Sequence, residues 1–220
     1  LLIALVCYNL SYAQTTYTSV ANGAWSADAT WSGSGTPGAS DTAVIDGEIV
    51  EVTSAVTVDR LTLSSGLLAI SAALTITNSS GNSAVTGGEM SLSDDVTISN
   101  GNFSNDGTIT ITAGKNLIFS SGTGDTFTND GSLNLASTSE LFSSVIFNGT
   151  YSADDNGNMS YSRFVEGLDG EWDLVGPPLN GMNLATFITS NDDLVACMFI
   201  FGWTTAQTYF KELTDNDIRE

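Results

Sequence analysis

Phe103-Ser-Asn105-Asp106-Gly107-Thr-Ile109-Thr-Ile111-Thr112 is answered 24 positions later by Phe127-Thr-Asn129-Asp130-Gly131-Ser-Leu133-Asn-Leu135-Ala136. A third segment, Phe147-Asn148-Gly149-Thr150-Tyr151-Ser152, echoes the pattern without the Asp. Each copy joins an Asn-Asp-Gly or Asn-Gly turn to an apolar-polar-apolar triplet. Self-similarity at a period between about 20 and 50 residues marks a repeat architecture. Along a strand, side chains alternate between faces, so Ile109 and Ile111 point one way and Thr110 the other.

The same triplet recurs as Val56-Thr-Val58, Leu61-Thr-Leu63, Leu74-Thr-Ile76, Met90-Ser-Leu92, Val96-Thr-Ile98 and Leu117-Ile-Phe119. β-Branched and apolar residues fill the triplets, while Gly, Asn, Asp and Ser fill the gaps, which is strand-and-turn chemistry. A triplet is too short to persist alone. Stacked on its equivalents above and below, it gains ladder hydrogen bonds and lines a continuous core. Each buried Val, Leu or Ile then contributes about 1.5–3 kcal/mol against an ordering cost of about 1–2 kcal/mol per residue. The spacing of Leu74–Ile76, Val96–Ile98 and Leu117–Phe119 fits a coil of three short strands and three turns with nearly constant length. An antiparallel sandwich also has short strands and regular turns, but the recurring Asn-Asp-Gly favours the solenoid. The expected fold is all-β: a right-handed parallel β-helix (β-solenoid) with an N-terminal cap and a partial C-terminal β-rich segment.

The 220 residues carry 25 acidic and 5 basic side chains, a net charge of −20, and no histidine. That imbalance repels nucleic acid and anionic membranes and leaves carboxylates free for divalent cations. Without histidine there is no Ser-His-Asp triad and no His-ligated zinc. No phosphate-binding or dinucleotide fingerprint occurs in a strand-turn-helix setting.

Residues 1–13 read as the end of a secretory signal peptide, apolar from Leu1 to Val6 and closing on Ser11-Tyr12-Ala13 before Gln14. Cys7 lies in that leader, so Cys197 alone remains in the processed chain and no intrachain disulfide forms. Residues 14–49 are expected to cap the solenoid and 50–152 to form its coils, with Ser79–Gly88 a loop leaving one coil. Residues 153–220 open a further β-rich module that the chain leaves truncated, with a short helix over Ala185–Leu194. Val195–Phe201 is apolar but too short to span a bilayer.

Within the first processed segment, Gly23-x-Trp25-x-x-x-x-Thr30-Trp31, the turn Pro37-Gly38 and Asp41-x-x-Val44-Ile45-x-Gly47 resemble the opening of G8-like β-helix modules. The likeness covers Gly23–Ile76 and is greatest to exported surface proteins of the Bacteroidetes and Flavobacteria type. Arg163-x-Val165, Gly170-x-Trp172-x-Leu174-Val175-Gly176 and Pro178-x-x-Gly181 are similar to a later segment of the same proteins. There, a sorting domain for type IX secretion often follows. The resemblance implies a β-helix displayed extracellularly or at the bacterial cell surface and outer membrane.

Trp25 and Trp31 are candidates for covering the open end of the first coil or for stacking on sugar rings. Asp106 and Asp130, one period apart, are candidates for turn geometry, with Gly taking positive φ and Asn or Asp tolerating it. The same pair, or the Asp154-Asp155-Asn156 turn, offers oxygen ligands to calcium. A glycoside hydrolase needs two carboxylates facing one groove, for which Asp94, Asp95, Asp106, Asp125 and Asp130 are available. A lyase needs a cationic base, and Lys115 and Arg60 are the basic residues within the coils.

The expected function is a secreted or cell-surface structural, adhesion-type module that is not an enzyme and needs no cofactor. The alternatives are a carbohydrate-binding module and a polysaccharide-degrading β-helix. Expected partners are neutral glycans or cell-surface proteins, without nucleic acid or membrane insertion.

Overall fold

The computed structural model describes residues 14–120, 125–147, 149–152, 157–162, 201–203 and 210–212. They contain strands and a single 3-10 turn, Asp28–Thr30, and no α-helix. The coils begin with β1 (Thr16–Thr18) and β2 (Gly23–Ala24). Next come β3 (Thr42–Val52), β4 (Val56–Val58), β5 (Arg60–Ile70), β6 (Leu74–Ile76), β7 (Ser83–Val85), β8 (Glu89–Leu92) and β9 (Val96–Ile98). After them run β10 (Phe103–Asn105), β11 (Thr108–Ile111), β12 (Asn116–Phe119), β13 (Thr126–Asn129), β14 (Ser132–Leu135), β15 (Ser144–Phe147), β16 (Thr150–Ser152) and β17 (Asn158–Tyr161). Every pairing among these strands is parallel. Stacked, they form a β-solenoid of about 6 turns.

Three faces result. One runs through β1, the first half of β3 and of β5, then β7, β10, β13 and β16. The second takes β2, the remaining halves of β3 and β5, then β8, β11, β14 and β17. The third is β4, β6, β9, β12 and β15. Because β3 and β5 each pass round a corner without a break, the first two faces join into one twelve-stranded sheet.

The triplets stack where the sequence places them. Val56–Val58 lies on Leu74–Ile76, that on Val96–Ile98, and that on Leu117–Phe119. Phe103, Ser104 and Asn105 pair with Phe127, Thr128 and Asn129. Inward positions form unbroken apolar rows such as Val50–Leu68–Met90–Ile109–Leu133, all buried. Where the row of the first face meets small Ser83, Phe103 sits on it, and Phe103, Phe119 and Phe127 fill the added space with centroids 4.8–6.0 Å apart. Aromatic pairing in such geometry adds to plain area burial.

Four sequence expectations change. Coil length is not nearly constant: Thr42 pairs with Arg60, 18 positions on, whereas Asn116 pairs with Ser144, 28 positions on. Parallel stacking fixes the register of strands and leaves turn length free, so insertions go to the corners. Ser79–Gly88 is not only a loop, since β7 lies within it with Ser83 and Val85 buried. The third echo is out of register: Tyr151, not Phe147, stacks on Phe127, while Phe147 pairs with Phe119 on another face. The fourth lies at the corners, where Gly107 and Gly131 of the Asn-Asp-Gly turns do not take positive φ.

The second compact unit of the chain is Gly167–Glu220. Its described strands, β18 (Phe201–Trp203) and β19 (Phe210–Glu212), form an antiparallel pair. The helix expected over Ala185–Leu194, and the stretch 195–200, lie outside the described residues.

Candidate functional site: capped end and coil corners

The free edge of β1 is covered at Thr18 by its own chain. Val20 N–H donates to Thr30 O at 2.9 Å, Ser32 N–H to Thr18 O at 2.7 Å, and Thr18 N–H to Ser32 Oγ at 2.9 Å, around an antiparallel bridge of Ser19 with Trp31. The direction of pairing reverses here, so the parallel stack ends. Trp25 and Trp31 are each 2% exposed and meet edge to face at 4.9 Å. Their indole N–H groups donate to Pro37 O at 3.1 Å and to Trp25 O at 2.8 Å. The Pro-Gly turn therefore holds the first ring and the first ring's backbone holds the second. With the rings in the core, neither face of either indole is presented to a sugar.

The Asn-Asp-Gly corners differ from the expectation that their glycines take positive φ. Gly47, Gly66 and Gly88 at the preceding corners do, at 98°, 84° and 70°, but Gly107 and Gly131 do not. What demands glycine there is the neighbouring coil. A β-carbon on Gly107 would stand 2.8 Å from Gly88 O, and one on Gly131 would stand 2.7 Å from Asp106 C and closer still to Gly107 O. A β-carbon on Gly88 would meet Gly66 O at 2.6 Å in the same way. Glycines thus lie on glycines from coil to coil.

The corner also shortens. From inward Val85 to inward Met90 the chain advances five positions (90 − 85), but from Asn105 to Ile109 only four (109 − 105). Asn replaces Val at the tightened corner. Asn105 and Asn129 are both fully buried, with Asn105 Nδ2 donating to Asn129 Oδ1 at 2.7 Å and to Ser132 O at 3.2 Å. The amides satisfy turn carbonyls that a Val would leave without donors.

Asp106 is exposed and Asp130 half-buried, at equivalent corner positions of successive coils. Asp154 and Asp155, the other calcium candidates, lie outside the described residues. Among the described residues no group of three or more His, Cys, Asp or Glu side chains is placed to hold a metal. Asp94 accepts from Lys115 Nζ at 2.8 Å, which holds its carboxyl below and the ammonium above their usual values. Asp95 accepts from Asn116 N and Nδ2 at 2.9 and 3.0 Å. Each of these contacts spans 21 positions, one coil. The supposed bases are therefore committed as well, Lys115 to Asp94 and Arg60 to Gln14 Oε1 at 2.8 Å.

The most elaborate corner surrounds Asp59, which no motif announced. Its side chain is 1% exposed and accepts from Thr77 Oγ1 at 3.0 Å, Ser79 N at 2.7 Å, Ser79 Oγ at 2.6 Å, Ser80 Oγ, and Gln14 Nε2 at 2.9 Å. Burial alone would raise its pKa, but the hydrogen bonds from Ser79, Ser80 and Thr77 outweigh it and bring the value to about 2. In sequence, the only cue was a Thr-Asn-Ser-Ser run one coil downstream of an acid.

These features define the class: a parallel β-solenoid whose first rung is bridged beside β1 and whose corners are tied by amides and carboxylates. No protein-family model, curated protein or solved structure matches the chain.

Proposed function

We propose that the chain is a secreted or cell-surface structural module, an adhesion-type solenoid that positions neighbouring parts and performs no catalysis. The observation that carries this reading is that Asp94 and Asp95, two of the five carboxylates available to a hydrolase, each bond a residue of the adjacent coil, as buried Asp59 does at its own corner. A hydrolase instead needs carboxylates free to face one groove. The outward row Ser91–Thr110–Asn134–Ser160 is small and polar, and the row Thr57–Thr75–Thr97 is too until it passes to Ile118 and exposed Ile146. The likeness of Gly23–Ile76 to G8-like modules of exported bacterial proteins supports export through residues 1–13 and display at the cell surface. Neutral glycans or surface proteins are the partners that its net charge of −20 favours over polyanions.

The competing reading is glycan binding on an outward face, since the Trp rings are enclosed. Incubation with neutral polysaccharides is expected to release no reducing ends from wild type or from Asp130→Asn. Release by wild type that disappears in Asp130→Asn would establish an enzyme. Retention on a glycan array, abolished by Thr110→Lys with an unchanged melting temperature, would establish a binding module.

A further inference from the structure

We propose that Arg60, Asp59 and Ser80 form a socket that keeps Gln14 an open amide once the chain is cut before it, blocking closure to a pyroglutamyl lactam. The inference rests on the reading that a leader ends at Ala13, joined to a geometry that does not depend on that reading. A glutamine bearing a free α-amine cyclises on itself. The α-nitrogen attacks Cδ, the new N–C bond forms, the Cδ–Nε2 bond breaks, and the departing nitrogen leaves as ammonia with a proton from the attacking amine. No second reactant is required.

In this chain the amide of Gln14 is held by residues 45, 46 and 66 positions away. Nε2 donates to Asp59 Oδ2 at 2.9 Å and to Ser80 Oγ at 2.7 Å, and Oε1 accepts from Arg60 Nη2 at 2.8 Å. The amide thus has its carbonyl and its nitrogen both occupied. Asp59 does not owe its place to Gln14, being buried and fixed by Thr77, Ser79 and Ser80. Arg60 is anchored through its backbone, its N–H donating to Asp41 O at 3.1 Å, and its guanidinium turns to Gln14. The backbone beyond Gln14 is pinned separately, with Thr15 N–H donating to Asp41 Oδ1 at 3.1 Å and Thr15 O accepting from Thr42 N–H at 2.8 Å. Ring closure must bring Cδ onto the residue's own α-nitrogen while that backbone stays in place. The departing Nε2 gives up its bonds to Asp59 and Ser80 on the way, and Cδ moves while Arg60 holds its oxygen.

The test is to express the full chain for export and follow the secreted protein by amino-terminal sequencing and intact mass over time. Wild type is expected to begin at Gln14 with a sequenceable amine. Ser80→Ala and Arg60→Met, each first checked for a folded melting transition, are expected to lose one ammonia roughly tenfold faster than wild type. Wild type in denaturant, with every bond of the socket gone, should close at least as fast as either variant. A wild-type chain that closes at the variants' rate while folded, or at one rate with and without denaturant, overturns the socket. A start other than Gln14 overturns the leader reading alone. The same rate comparison is then made on chain released from a fusion cut directly before Gln14.

Discussion

Gly131 and Asp59 show how single residues hold one coil to the next. Gly131→Ala places a methyl against the backbone of Asp106 and Gly107, atoms that cannot rotate aside. The expected cost is about 1–3 kcal/mol in chemical unfolding, and a melting temperature equal to wild type would show that the corner can part. Gly33→Ala is the contrast, since its surroundings are open and only its φ of 95° resists. For Asp59, a depressed folded pKa means stability that is present above the unfolded value, 3.8, and is lost as pH falls through about 2. The difference amounts to about 2 kcal/mol. Wild type should lose that increment between pH 4 and pH 2 in urea titrations, and Asp59→Asn should lack the step while starting less stable. Parallel pH profiles for the two proteins would refute it. The sequence shows an Asp and several hydroxyl residues, but their convergence depends on an 18-residue coil that no local pattern announces.

At the scale of elements, the strands were legible and the corners were not. Period-2 alternation in Leu74–Ile76, Val96–Ile98 and Leu117–Phe119 reports which side chains face inward, and parallel stacking turns like onto like. Phe103 with Phe127 was readable for the same reason. Ser83–Val85 escaped because Ser83 is inward yet polar, its Oγ accepting from Leu61 N–H at 2.9 Å. The echo at Phe147–Ser152 misled because an Asn-Gly turn looks alike at any corner, and only register tells the corners apart. Trp25 and Trp31 were candidates from sequence alone, but the backbone bridge beside them was not foreseeable from residue type. Trp31→Ala is expected to cost about 3–5 kcal/mol through the cavity it leaves. Its partner bond from the indole N–H to Trp25 O disappears as well. A loss below 1 kcal/mol in guanidinium unfolding would mean that the ring is not part of the core.

Over the solenoid as a whole, each coil touches only its neighbours, so stability is a sum of coil and interface contributions. Strands with partners on both sides should open least often. Hydrogen exchange is expected to be slowest in β8 and β11, each flanked by two parallel neighbours, and faster in β1, whose outer edge is closed by a short antiparallel bridge. Uniform protection throughout would indicate one cooperative block instead. Charge acts at this scale too: with −20 on the chain, added salt should raise the melting temperature by screening self-repulsion.

The reversal of chain direction beside β1 also governs what a second molecule meets. A bare parallel rung is a template, and any copy arriving in register would extend it into a filament. Here the arriving strand would find residues 30–32 already seated, running the wrong way for propagation. Deleting residues 30–32 is expected to bare that rung and seed filaments, seen as growth in light scattering. A variant that stays monomeric would show that the loop does not guard the edge.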